Sequence, residues 1–411
     1  METLEVYLCN RLAGKLVRTD DGSLNFQYND SYLRSPQAAV LSSTLPLSDA
    51  PYGERDIAAF FSNLLPDESV RQRIAEILHL TPEDTFGLLR ILGGDCAGAI
   101  SFYESGRQPD AQDMPSYREL TDSEASSLLK DLANRPLGID EEFRGISGAG
   151  AQDKLIACVR GGHILLPLHG TPSTHILKPG IDRFPETVFN EWFCMRLASS
   201  CGFATAAANI ITLDGESFYV TTRYDRETKD GRTERLHQED FYQLLKCRPE
   251  IKYQDQGGPS IADCVELIRN LRLPAADLLS FVDRTIFNFL VGNGDAHGKN
   301  FSVLYRNGIP RLAPVYDVLC TTVYPPIAKK MAMKFDGKFE FRRITAGKII
   351  RTFARAQVGE KLVKDSLNRQ IAALRTHLPP LVDEANANHP SPVHHDISKG
   401  IHQRIRQVTS A

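Results

Sequence analysis

Apolar residues recur along this chain with a period of about two in some stretches and about 3.6 in others, and the changeovers outline its elements. Leu4 to Leu8 and Leu24 to Tyr28 alternate as strands, and the spacing from Ile57 to Leu78 predicts one helix. Another helix is expected from Pro82, capped by Thr81, with Glu83 and Asp84 in its first turn and Gly93-Gly94 as its stop. Glu104 to Glu119 is polar, carries Pro109 and Pro115, and reads as a linker, after which Thr121-Asp122-Ser123-Glu124 forms a capping box. Leu155 to Val159 and Thr174 to Lys178 read as strands, and Glu186 to Ser200 as a helix stopped near Gly202. Ile210 to Leu213 and Phe218 to Val220 form a hairpin turning at Asp214-Gly215-Glu216. Phe281, Val282, Ile286, Phe287, Leu290 and Val291 keep helical spacing until Gly292-Asn293-Gly294. A second hairpin, Phe301 to Tyr305 and Leu312 to Val315, turns at Arg306-Asn307-Gly308. Val382 to Gly400, rich in Asn, His and Pro, predicts a loosely packed connection to a short terminal helix.

These elements predict an α+β protein in three parts: a β-rich region over 1–105, a mixed region over 106–240 and a largely helical one over 241–411. With 411 residues, 42% of them hydrophobic, the chain can bury cores for two or three domains. Its start, Met1 to Glu5, has neither a basic segment nor a long apolar one, and no stretch approaches the roughly 20 apolar residues of a membrane span, so a cytoplasmic location is expected. Eight cysteines without a C-x-x-C pair are expected to behave as small buried hydrophobes, with no structural metal. The net charge is −3, but Lys329 to Lys364 holds eleven Lys or Arg against three acidic residues. That segment reads as a solvated face, with a patch touching DNA phosphates as the second reading.

Candidate chemistry concentrates after the helix that ends at Gly292. Asp295 opens Asp295-Ala296-His297-Gly298-Lys299-Asn300, and Asp317 follows the hairpin. A carboxylate, an amide five residues on and a later carboxylate are the parts by which kinases hold an attacking hydroxyl and ligate magnesium on ATP. Asp295 would be the base and Asn300 and Asp317 the metal ligands, because hard cations take oxygen donors. Lys299 is a candidate for steadying the transferring phosphoryl or is a solvated lysine, and His297 organises the loop. The plain alternative is a loop stitched by Asx turns.

A kinase also needs a phosphate loop and a lysine upstream. Gly145-Ile146-Ser147-Gly148-Ala149-Gly150-Ala151 is small enough for its N–H groups to approach anionic oxygens, and Lys178 ends the strand where it can reach phosphates. Glu191, on the helix that follows, is a candidate ion-pair partner for Lys178 or a surface acid. Thr221 to Asp225 leaves the sheet where a hinge would meet an adenine.

The loop ISGAGAQDK, the strand THILKPG, the helix FNEWFC, the exit TTRYDRE, the segment LHQEDFYQ, the loop GDAHGKNFSV and the closing PVYDVL resemble, in this order, the HipA toxin-kinase family. Phe60 to Asp67 and Gly98-Ala99-Ile100 are similar to that family's small N-terminal coupling domain, so the resemblance runs from about Leu4 to about Leu381. It implies a two-lobed protein-kinase-like fold with a β-rich coupling domain and a mainly helical C-lobe. The implied activity is serine/threonine protein kinase, with ATP and Mg2+ as cofactors and an aminoacyl-tRNA synthetase as substrate class. The implied partners are a small DNA-binding, HipB-like antitoxin and, through it, DNA, and the implied self-inactivation is phosphorylation of Ser147. The family's ATP contacts fall on Ala149, Gly150, Ala151, Gln152, Asp153 and Lys154, on Lys178, on Thr222, Arg223 and Tyr224, on His297 to Asn300, and on Tyr316 with Asp317. This chain departs from the pattern at Thr222, where an acidic residue is familiar, and at the additional Gly145. Two other functions share parts of the pattern: a small-molecule kinase of the aminoglycoside-phosphotransferase kind, through G-D-x-H-x-x-N, and a non-catalytic ATP-binding co-repressor.

Overall fold

A computed structural model describes residues 1–109, 116–139 and 145–410 of the chain. β1 (Glu2–Leu8) and β2 (Arg11–Arg18) join through Cys9 and Asn10, both at positive φ, as a two-residue hairpin turn requires. β3 (Leu24–Tyr28) follows, then a single turn, α1 (Asp30–Leu33), and the short β4 (Tyr52–Gly53). Three helices, α2 (Glu54–Ser62), α3 (Glu68–Ile77) and α4 (Thr85–Leu92), lead to β5 (Ile100–Glu104), which closes on β1 to give a five-stranded antiparallel sheet ordered β4-β3-β2-β1-β5.

Two helical expectations fail here for local reasons. The single helix expected from Ile57 to Leu78 is α2 and α3, separated by Asn63-Leu64-Leu65-Pro66-Asp67. Pro66 cannot donate to the helix ladder and crowds the preceding turn, while Leu64 and Leu65 stay buried and so preserve the apolar spacing. The helix expected from Pro82 starts instead at Thr85, because the Asp84 carboxylate, not the Thr81 hydroxyl, accepts the capping bond, from Gly87 N–H at 2.8 Å.

The expected linker ends in β6 (Tyr117–Leu120), which pairs with β8, and Pro115 lies outside the described residues. α5 (Asp122–Lys130) begins at the predicted capping box. β7 (Leu155–Arg160), β8 (His163–Pro167), β9 (His175–Lys178), α6 (Thr187–Ser200), β10 (Ala208–Leu213) and β11 (Glu216–Thr222) come next. The sheet is ordered β10-β11-β9-β7-β8-β6 and holds α6 against its β10–β11 side. The hairpin β12 (Arg226–Lys229) and β13 (Arg232–Arg235) leads to β14 (Gln238–Asp240).

The remainder is mainly helical: α7 (Phe241–Leu244), α8 (Ile261–Asn270), α9 (Ala275–Val291), α10 (Ala346–Arg355), α11 (Glu360–Asn388) and α12 (Pro392–Thr409). β15 (Ser302–Arg306) lies between β14 and β16 (Ile309–Leu312) and pairs with both, and β17 (Lys330–Phe335) pairs with β18 (Lys338–Glu340). The loose connection expected over Val382 to Gly400 is instead the end of α11 and the start of α12. Pro379 and Pro380 sit on the exposed face of α11, where carbonyls freed by the missing N–H groups can meet water. Val393, His394, Ile397 and Ile401 bury α12 against α6, α9 and α11. Among the described residues no helix is long and apolar enough to cross a membrane.

The apolar interior forms two clusters. One belongs to the helical part and takes in α6; the other runs without a break from the N-terminal sheet and α2–α4 into β7, β9 and β11. The seam of the second cluster carries an ion network. Asp95, fully buried, accepts from Arg226 and Arg235 at 2.8 Å each, from Ser173 at 2.7 Å and from Arg223 at 3.3 Å, and Asp225 pairs with Arg223 and Arg226. Burial opposes ionisation of Asp95, but three guanidinium groups outweigh it and hold the carboxyl far below the usual range. Asp95→Ala leaves that positive charge buried with too little compensation, and a loss on the order of 3–5 kcal/mol in unfolding free energy is expected in urea titrations at neutral pH. The loss should shrink as pH falls through the acid range, where the wild-type carboxylate becomes protonated. A pH-independent loss below about 1 kcal/mol would contradict this.

Candidate active site

The site is built where α9 stops. Gly292 takes the left-handed conformation (φ 87°), and a Cβ there would lie 2.4 Å from Thr322 Oγ1. At Gly294 a Cβ would lie 2.4 Å from the Lys330 carbonyl, so the loop must be this lean to run beneath β17. Asn293 Oδ1 accepts from Asp295 N–H at 3.1 Å, and Gly294 N–H donates to Thr321 Oγ1 at 2.8 Å. Buried Arg404 of α12 donates to the Leu290 and Val291 carbonyls at 2.8 and 2.9 Å, a cation at the C-terminal end of α9.

Asp295 is thereby presented with its side chain 42% exposed, accepting from Tyr253 Oη at 2.7 Å. His297 Nε2 lies 3.9 Å from the same carboxylate, burial lowers the imidazole pKa, and its buried Nδ1 has no hydrogen-bond partner among the described residues. Gly298 packs under Tyr242, whose ring leaves no space for a Cβ. Lys299 is buried, not solvated, and donates to Asp67 Oδ1 at 2.6 Å. Asn300 Nδ2 lies 3.4 Å from Asp317 Oδ2, and Tyr316 Oη donates to the Lys299 carbonyl at 2.7 Å while stacking on Tyr224.

Lys178 joins the lobes. From the end of β9 its Nζ donates to Glu191 Oε1 of α6 and to Asp317 Oδ1, each at 2.7 Å. Burial disfavours its charge, yet the two carboxylates outweigh that and raise its pKa. Burial likewise works to raise Asp317, but the Lys178 ammonium prevails and brings it down to about 2, so this carboxylate is ionised at neutral pH.

The glycine-rich loop is held from the N-terminal side. Gly145 and Asp95 bond through Asp95 N–H to the Gly145 carbonyl at 2.8 Å, and Ser147 N–H donates back to the Asp95 carbonyl at 3.2 Å. Ser147 is fully buried, its Oγ donating to the Leu64 carbonyl at 2.5 Å. Asp67 N–H donates to the Gly150 carbonyl at 3.2 Å, and Lys154 Nζ to the Ala149 carbonyl. Burial, then the neighbouring Lys178 ammonium, lowers the Lys154 pKa to about 8.

The structure brings several of the expected residues into contact: Lys178 with Glu191 and Asp317, Asn300 with Asp317, and Lys154 with the Ala149 carbonyl, while Tyr316 holds the Lys299 carbonyl and Asp295 stands on the same loop as Asn300. Three side chains are engaged elsewhere. Asp153 pairs with Arg73 at 2.6 Å, the Arg223 guanidinium is sequestered in the Asp95–Asp225 network, and Thr222 Oγ1 accepts from Ala207 N–H at 3.1 Å. The backbone N–H groups of Thr222 and Arg223 are bonded as well, to the Ala207 and Thr174 carbonyls at 2.9 and 2.8 Å. Sequence reasoning missed Tyr253 and Asp67. Asp67 stood inside the N-terminal stretch that carried the family resemblance, but nothing in its spacing linked it to Lys299.

Two family models cover this architecture: the HipA N-terminal domain over residues 4–103 and the HipA-like C-terminal domain over residues 146–378. The chain belongs to the HipA family. Y4mE of Sinorhizobium fredii, whose name carries only a provisional kinase assignment, is 39% identical over 95% of this chain and 96% of its own length. The serine/threonine-protein kinase toxin HipA of Shewanella oneidensis is 29% identical over 94% of this chain and 92% of its own. HipA of Shewanella oneidensis MR-1, solved with HipB and operator DNA, superposes with a TM-score of 0.86 at 24% identity, covering 99% of this chain and 98% of that one. The fold of this HipA-family member is thus kinase-like, as the resemblance implied.

The Lys178 bridge makes a testable demand on nucleotide binding. Lys178→Ala removes the cation between two carboxylates, and Asp317→Ala removes the carboxylate expected to ligate a metal, which is also the neighbour of Asn300. Each should weaken Mg-ATP binding by roughly tenfold or more in titration calorimetry. Unchanged affinity in both variants would place the nucleotide elsewhere.

Proposed function

We propose that this chain is an ATP-dependent serine/threonine protein kinase acting as a toxin, restrained by a small DNA-binding antitoxin. One observation carries the proposal: Lys178 spans Glu191 and Asp317 at 2.7 Å each while Asp295 and Asn300 stand on the adjoining loop. In the reaction, the acceptor hydroxyl loses its proton to Asp295, its oxygen bonds to the γ-phosphorus of ATP, and the bond from that phosphorus to the bridging oxygen breaks to leave ADP. The exposure of Asp295 leaves it open to an acceptor, and Tyr253 orients it. Lys178 contacts the α- and β-phosphates, and N–H groups of Ala149 to Ala151 receive the outer phosphates.

Magnesium fits the donor set, because the ionised Asp317 carboxylate and the neighbouring Asn300 side-chain oxygen are the hard ligands it takes. Bound there, it would neutralise charge on the phosphates. The intact cleft argues against a non-catalytic co-repressor, and membership of a toxin family argues against an antibiotic-modifying kinase. The substrate we propose is a cytoplasmic protein of the aminoacyl-tRNA synthetase class. HipB and operator DNA accompany the HipA that shares this fold, and we propose the corresponding partners here. In the basic segment, Lys348, Arg351 and Arg355 converge on Asp336, which leaves Lys329, Lys330 and Arg342 exposed for phosphate contacts.

Ser147 supplies the self-inactivation. Its hydroxyl is enclosed against Leu64, so a phosphate of roughly −1.5 to −2 charges cannot be accommodated there and the loop would have to leave its seat. Protein incubated with Mg-ATP is expected to gain one phosphate at Ser147 and to lose ATP affinity, by intact mass, peptide mapping and calorimetry. Phosphate mapped to another residue, or normal ATP binding by the Ser147-phosphorylated form, would remove the switch.

Asp295→Asn tests the kinase itself. It should lower phosphoryl transfer by on the order of 10²–10⁴ while ATP affinity stays near wild type, since only the base is lost. Wild-type turnover in this variant would overturn the proposal.

A further inference from the structure

Asp67 belongs to the N-terminal region, yet it touches both the glycine-rich loop and the loop that follows α9. Its backbone N–H donates to the Gly150 carbonyl of the glycine-rich loop at 3.2 Å, and Pro66 forms a parallel bridge with Gly150. Its carboxylate, 3% exposed, accepts from Lys299 Nζ of the catalytic loop at 2.6 Å and lies 3.6 Å from Lys252 Nζ. Lys299 sits between the proposed base, Asp295, and the proposed metal ligand, Asn300, and its own carbonyl is fixed by Tyr316. One residue therefore ties the loop expected to carry the phosphates to the loop expected to carry the base.

The charges around it explain why a carboxylate is needed. Lys154, Lys252 and Lys299 all act electrostatically on Asp67, and the Lys299 ammonium works against the charge on Lys154. A neutral residue at 67 would take away the negative charge to which Lys299 is bonded, leaving Asp240 as another carboxylate that acts on it, and the long side chain would swing toward that acid or toward water. With Asp67 in place, the ammonium is held at a fixed point of the catalytic loop, ready to face developing charge on the transferring phosphoryl.

We propose that Asp67 is a positioning residue for Lys299, so that the N-terminal domain completes the phosphoryl-transfer site. It touches no reacting atom and acts through the lysine. This rests on the kinase reading above for its catalytic consequence but not for its structural one.

Two measurements separate the two. In the full-length protein, brief labelling with an amine-reactive acetylating reagent, read by peptide mass spectrometry, should find Lys299 protected in wild type and several-fold more reactive in Asp67→Asn, a near-isosteric change. Equal reactivity of Lys299 in both proteins overturns the proposal whether or not the chain is a kinase. In phosphoryl transfer, Asp67→Asn should lower kcat by roughly tenfold or more with KM for ATP changed by less than about threefold, and Asp67→Glu should recover part of the loss. In a Lys299→Met background, Asp67→Asn should cost almost nothing further. An equal cost in both backgrounds, or a loss seen only in KM, marks Asp67 as structural and overturns the positioning role. Absence of transfer by wild type and Asp295→Asn alike overturns the kinase reading instead, and the labelling result then decides the Asp67–Lys299 contact alone.

Discussion

A single ammonium group organises the cleft. Lys178 arrives from β9 of the six-stranded sheet, Glu191 from the helix packed beside it, and Asp317 from the far end of the hairpin that follows the Asp295 loop. Each would be costly to bury alone, and together they define where the sheet, the helix and the C-lobe must stand relative to one another. Lys154 acts electrostatically on both carboxylates too, so the two acids are answered by two ammonium groups rather than by one.

The chemistry of this cleft could be read from the chain because its parts are local. Asp295 to Asn300 is one loop, and Lys178 and Glu191 are separated by a single strand-to-helix connection. Glycines at 292, 294 and 298 each answer to a neighbour that would collide with a side chain, so their clustering in the sequence carried real information. What holds these parts was not legible. The partners of Asp295 and Lys299 come from 42 and 232 residues away, and no period or spacing records such a meeting.

The misread helices have the same origin. Leu64 and Leu65 are buried whether or not the backbone around them is helical, so hydrophobic periodicity passed through a break that Pro66 imposes. The stretch Val382 to Gly400 misled in the opposite sense, because its Asn and His residues sit in the end of α11 and in α12, and Pro392 occupies the first turn of α12, where a missing N–H costs little. The Asp95 network was invisible for a further reason. Arg223 stood in the stretch expected to meet a nucleotide, and only the packing reveals that its charge is committed to a carboxylate 128 residues earlier.

The cap on α9 has a consequence for the order in which activity can arise during synthesis. Arg404 closes the carbonyl end of the helix from which the catalytic loop springs, and it is made more than a hundred residues after that loop. A ribosome would have to pass residue 404 before Leu290 and Val291 have their cation and α12 its seat. Until then the helix that leads into the Asp295 loop lacks the guanidinium at its carbonyl end, and on the kinase reading proposed above the site would be complete only once α12 has been made.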